Sequence, residues 1–336
     1  MRRDSSKPVA NMQPFFITLL CTWVALVLTA FYYSKLHPDF HWIWTAAFPA
    51  FVLETLFYLG SVFENARTAW ADTIPSPWGK AATLWVSAIL PYLVFSLAVG
   101  TFLPNAFYLV AGLSAVFVFW HVLLPRRAAY DLGFLIIAAV PFVARIFSRL
   151  YQSPDPHLRV DILGHLMWIR LGVVTLLIFR HWDPGPVGLW PRPGEWKSGA
   201  IWFAAAILPV TAVALGFHGV RYVPPEGPWW RILGIAAGTF IGAFAVLTLG
   251  EELFFRGAIQ RGLGSTFGSP VAALIVSSLL FGSVHLWYRH FPNWQWAIVA
   301  TVLGVFCGLA YAQTGSIRAS MVTHSLTIVV WRMIFR

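Results

Sequence analysis

Glu251, Glu252 and Arg256 fall within one apolar stretch of a 336-residue chain, and His285 and His324 fall in two further apolar stretches downstream. Ionisable side chains at bilayer depth are rare and are kept where they do chemistry or hold a site together. One carboxylate and two imidazoles in a partly dry cavity are the minimum apparatus for activating a water and protonating a leaving amine, the proton traffic of amide hydrolysis. Glu251, His285 and His324 also make a two-histidine, one-carboxylate set, so a metal-dependent enzyme is a second reading of the same residues. No HExxH helix, GxSxG elbow or Ser/Lys arrangement offers another protease chemistry.

The two adjacent acids have different expected jobs. On an unbroken helix Glu252 and Arg256 stand at i,i+4 and neutralise each other, while Glu251 projects roughly to the opposite side without a local partner. That makes Glu251 the candidate base and the Glu252–Arg256 pair a structural element. Gly234, Gly238 and Gly242 recur every fourth residue and read as a stripe for close helix packing, as do Gly304 and Gly308. A turn at Gly264–Pro270 folds this helix back on the next, and Glu251 and His285 lie roughly 20 and 24 Å from that turn, at similar heights. Phe281 sits one turn before His285 on the same face and is placed to wall the pocket. Ser320 stands one turn before His324.

These residues need a scaffold of membrane helices, and the composition supplies one. Hydrophobic residues make up 58% of the chain and charged residues 11%, too little polar surface for a water-soluble domain of this length. Apolar runs near 14–33, 42–63, 82–101, 105–124, 129–148, 161–180, 199–217, 231–262, 269–288, 295–313 and 317–335 give an all-α, polytopic bundle of about 10 to 11 transmembrane helices. The basic N-terminus and first apolar run resemble a signal peptide, but the run is long enough to span and no small-residue cleavage site follows.

The net charge of +10 comes from loops and helix ends and reads as topology, not nucleic-acid binding. Arg2, Arg3 and Lys7 in the cytoplasm put Arg67, Lys80, Arg126, Arg127, Arg192, Lys197 and Arg261 on that same side. Cys21 and Cys307 lie in apolar runs without metal-ligand spacing and read as small buried hydrophobes. The Pro-, Gly- and Trp-rich loop from Arg180 to Ser198 divides residues 1–190, helices without an evident role, from residues 199–336, which hold the motifs.

Glu251-Glu252-x-x-x-Arg256, Phe281-x-x-x-His285 and a last helix bearing His324 resemble the EExxxR, FxxxH and terminal-histidine motifs of the CPBP family of intramembrane proteases, the CAAX-processing and bacteriocin-processing enzymes also called Abi. The likeness covers about residues 231–330. It implies a metal-independent, glutamate-type endopeptidase without a cofactor, acting on a membrane-associated protein or peptide. Glu251 and His285 would activate water, and His324 would help stabilise the oxyanion. Many members carry Asn after three intervening residues past the last histidine. Here Ile328 stands there, with Ser320 or Thr327 as possible substitutes.

Three function classes therefore stand: an intramembrane protease, a catalytically inactive relative serving as an immunity or scaffold protein, and a transporter or Glu/His/His metal enzyme. Glu54, Arg145, His165 and Arg170 are further polar residues in apolar helices of the first half, and sequence does not pair them.

Overall fold

The computed structural model of the chain describes residues 11–335. Arg2, Arg3 and Lys7, which anchor the topology argument, lie outside the described residues. The chain divides into two compact units, Met1–His181 and Trp182–Arg336. Among the described residues no strand forms, and nine helices are long and apolar enough to cross a membrane. The protein is an all-α, multi-pass integral membrane protein.

The first unit comprises α1 (Gln13–Leu36), α2 (His41–Val62), α3 (Glu64–Thr73), α4 (Pro77–Val99), α5 (Pro104–Leu123), α6 (Ala128–Val143), α7 (Ile146–Leu150) and α8 (Asp161–Val174, prolonged as a π-helix over Thr175–Phe179). The polar break after residue 63 is thus itself a short helix, α3. Helix α2 packs against α1, α4 and α8. Its Glu54 is shut from solvent and accepts from Arg170 of α8, Nε at 2.7 Å and Nη2 at 3.2 Å, while Arg170 also donates to the Ser87 hydroxyl and carbonyl of α4, each at 2.8 Å. A buried pair this fully hydrogen-bonded fixes register among three helices. His165 is held by the Asp161 carbonyl at 2.8 Å.

The second unit comprises α9 (Pro193–Gly216), α10 (Trp229–Gly242), α11 (Leu249–Glu252), α12 (Arg261–Phe267), α13 (Pro270–Val284), α14 (Trp294–Thr314) and α15 (Ile317–Ile334). Helices α10, α11 and α12 form one continuous rod, joined by π-helical turns at Ala243–Thr248 and Leu253–Gln260. Side-chain caps start α13, α14 and α15: Ser269 accepts from the Ala272 amide at 3.2 Å, Asn293 from Trp296 at 3.1 Å and Ser316 from Arg318 at 3.3 Å. Gly315, with φ 64°, makes the turn that reverses the chain between α14 and α15.

Helices α13, α14, α9 and α15 pack in that order. At Gly199 of α9 an added Cβ would meet Val322 Cβ at 2.6 Å and the Ala319 carbonyl at 2.7 Å, so the α9–α15 contact requires glycine. Glu195 ties the same two helices at their starts by accepting from Arg318 at 2.8 Å.

Three expectations change. Of the eleven apolar runs, α6 is too short to count as a span at 16 residues, and α15, interrupted by Arg318, His324 and Arg332, is too polar. Gly234, Gly238 and Gly242 face outward with nothing within 4 Å of an added Cβ, so this stripe is not a packing seam within the described residues. Gly304 and Gly308 do pack closely, against Ser278 and against Leu274 and Gln260. Cys21 is exposed on α1, and only Cys307 is buried.

Candidate active site

The two π-helical turns flank Glu251 and Glu252 and break the regular 100° register on either side. The adjacent acids still diverge: Glu252 has a fully buried side chain, whereas Glu251 keeps 27% of its side chain exposed. Thr248, one turn before, hydrogen-bonds Ser325 of α15 at 3.1 Å and fixes the rod against the helix that carries His324.

Glu252 is an anchor with three attachments. Arg256 Nε lies 3.1 Å from Oε2, an ion pair whose angle falls short of a hydrogen bond. The Ser320 hydroxyl donates to the same oxygen, and His324 Nδ1 lies 2.8 Å from Oε1. The Arg256 guanidinium, itself fully buried, stands over the Phe281 ring at 5.0 Å from its centroid. Since the Glu252 carboxylate faces Arg256, it accepts and His324 Nδ1 donates, which turns His324 Nε2 toward Glu251. That nitrogen is 3.8 Å from Glu251 Oε2, an oxygen with no hydrogen-bond partner among the described residues.

His285 comes from the opposite wall. It follows α13 at the start of a 3₁₀ turn, and its Nδ1 lies 2.8 Å from the Phe281 carbonyl. A carbonyl only accepts, so Nδ1 donates and Nε2 is the free ring nitrogen. Phe281 is buried between the imidazoles, tilted to His285 at 4.8 Å and edge-on to His324 at 5.5 Å between centroids, and Phe255 packs against it at 5.0 Å.

Glu251, Phe281, His285 and His324 line one cavity of about 680 Å3. Its walls are otherwise mostly apolar and aromatic, with Val210, Leu303, Trp296 and Trp331 among them, and Arg289 and Arg332 reach it as well. An apolar cavity with a few convergent polar groups is the usual form of a substrate site. Among the described residues, the imidazole that comes within 4.0 Å of the Glu251 carboxylate is that of His324.

Two sequence expectations about supporting groups need revision. Ser320 donates to Glu252 and is not among the residues lining the cavity. Thr327 lines the cavity, but its hydroxyl donates to the Thr323 carbonyl at 2.9 Å. Ile328 lines the cavity too. Behind His324, Glu252 supplies a carboxylate on Nδ1 that the sequence pattern does not single out.

The residues of the metal reading, Glu251, His285 and His324, are not a group whose ligand atoms converge within 4.8 Å. Among the described residues the groups that do are Glu252, Cys307 and His324, all buried, and His37, Asp155 and His157 in the first unit.

Compared with known proteins, residues 228–330 match the family model of type II CAAX prenyl endopeptidases, Rce1-like. The match spans Glu251, His285 and His324 and supports the CPBP/CAAX protease family for this segment. No curated protein and no solved structure matches the chain.

Proposed function

We propose that this protein is an intramembrane endopeptidase that hydrolyses a peptide bond in a membrane-associated protein or peptide with a water activated by Glu251. The observation that carries the reading is the division of labour between adjacent acids. Glu252 is consumed as the anchor of Arg256, Ser320 and His324, while Glu251 presents an unpaired oxygen to the cavity beside an oriented imidazole.

In this mechanism Glu251 takes a proton from water as the oxygen adds to the scissile carbonyl, and returns it to the leaving amine as the C–N bond breaks. His324, steadied by Glu252, stands 3.8 Å from Glu251 and exchanges the proton with it through the attacking water, which bridges the two groups. His285, whose Nδ1–H is held by the Phe281 carbonyl, has Nε2 left to donate toward the oxyanion when protonated. The N-terminus lies in the cytoplasm, on the argument of Arg67, Lys80, Arg126 and Arg127 at one set of helix ends.

The family description adds a prenylated C-terminus as the first substrate to test. Purified protein in detergent is incubated with a farnesylated peptide ending in a CAAX sequence, and mass spectrometry reads loss of the terminal residues. Cleavage by wild type and none by Glu251→Gln is the expected result. Equal cleavage by both proteins would contradict the assignment of the base.

A further inference from the structure

The first unit holds a second cavity, of about 330 Å3, that the protease reading does not use. It opens where three helix ends meet: the first turn of α4 (Pro77, Trp78, Lys80), the last turn of α5 with the loop after it (His121, Arg126), and the end of α8 (Phe179, His181). All three helices are long and apolar enough to span, so their ends lie at headgroup depth, and exposed Trp78 beside the opening is a typical interfacial residue.

The lining is basic. Lys80, Arg126, His121 and His181 all reach the cavity and no carboxylate lines it. Among the described residues Lys80 and Arg126 form no ion pair. The acid behind this corner, Asp131, is already bound by Arg180 at 2.6 and 2.7 Å. Arg126 is held at the rim by donating Nη2–H to the Phe179 carbonyl at 3.2 Å, which leaves the rest of its guanidinium fork to a ligand. Desolvation and the charges of Arg126 and Lys80 hold His181 below its ordinary pKa, a mark of how closely the positive groups crowd. Both ring nitrogens of His121 are shut from solvent and have no hydrogen-bond partner among the described protein atoms. Buried polar atoms of this kind call for a partner.

From this we infer that the corner between α4, α5 and α8 is a binding site for a phosphate group. Lys80 and Arg126 supply charge, and His121 and His181 supply hydrogen bonds. Trp78 and Phe179 offer apolar surface to whatever the phosphate is attached to. Basic pockets at helix ends are where anionic headgroups dock, and the same chemistry accepts free phosphate.

The test uses the full chain purified in detergent. Native mass spectrometry reads binding of phosphatidylglycerol, phosphatidic acid and phosphatidylcholine, and isothermal titration reads binding of inorganic phosphate. Removing both charges in Lys80→Gln/Arg126→Gln is expected to weaken the anionic lipids about 25-fold, roughly five-fold per charge, whereas Arg221→Gln, in the other unit, leaves binding unchanged. His121→Phe, which keeps a ring against Phe134 but removes both nitrogens, weakens binding as well. Should the double variant fail to fold, Lys80→Gln alone carries the same expectation at about five-fold.

Anionic lipid bound more tightly than phosphatidylcholine, with loss in these variants, assigns a lipid headgroup. Inorganic phosphate bound with the same losses, and no preference among lipids, assigns a free phosphate. Anion binding that is absent from the wild type, or that is equal in wild type and variants, overturns the site.

Discussion

Glu251 and Glu252 are neighbours in sequence, yet the structure predicts opposite consequences for the same change. Glu251→Gln keeps the side-chain shape at a partly exposed position where the carboxylate has no hydrogen-bonded partner to lose. Its stability cost should stay within about 0.5 kcal/mol, and its rate should fall by about 10²- to 10⁴-fold, the usual contribution of a general base. Glu252→Gln removes the counter-ion of a fully buried guanidinium. Breaking such a pair costs about 3–5 kcal/mol, and the loss extends to the anchor of His324 Nδ1 and Ser320. The assay is paired: thermal unfolding of both purified variants in the same detergent, and cleavage measured on the folded fraction. Glu251→Gln should melt with the wild type and be inactive, while Glu252→Gln should melt several degrees lower. If Glu252→Gln melts with the wild type, or Glu251→Gln is the unstable one, the assignment of anchor and base is refuted.

Replacing His324 by Ala should damage cleavage at least as much as replacing His285, because His324 is the imidazole beside Glu251; a variant series with the reverse order would return the proton-sharing role to His285. Gly199→Ala should destabilise by about 1–3 kcal/mol, since the added Cβ would overlap Val322 and the Ala319 carbonyl. It should also lower activity by displacing α15, and an unchanged melt with full activity would contradict the packing. Chelators should leave cleavage by the purified enzyme unchanged. Inhibition that is reversed by adding a transition metal would move the chemistry to a metal, with Glu252, Cys307 and His324 as the first ligands to test.

What sequence makes legible here is what local spacing controls. Apolar length gives the helices and i,i+4 spacing gives the Glu252–Arg256 pair that the structure contains; the turn expected over Gly264–Pro270 shrinks to Gly268 and Ser269, because α12 runs on to Phe267. Long-range partners are a matter of tertiary packing. Glu54 and Arg170 are 116 residues apart and Glu252 and His324 are 72 apart, and no local pattern selects one polar residue over another at such distances. The glycine stripe shows a different failure. Periodicity assumes one continuous α register and a neighbouring helix to receive the face. Here the register is unbroken, since the stripe lies within regular α10, but among the described residues it meets no neighbour.

The most direct test of the account compares membrane-protein termini, by peptide mass spectrometry, in cells carrying wild type, Glu251→Gln or no copy of the protein. The account predicts one or more new chain ends in wild-type cells that are missing from both other strains, with the uncleaved precursors accumulating in their place. Identical termini in all three strains would contradict it.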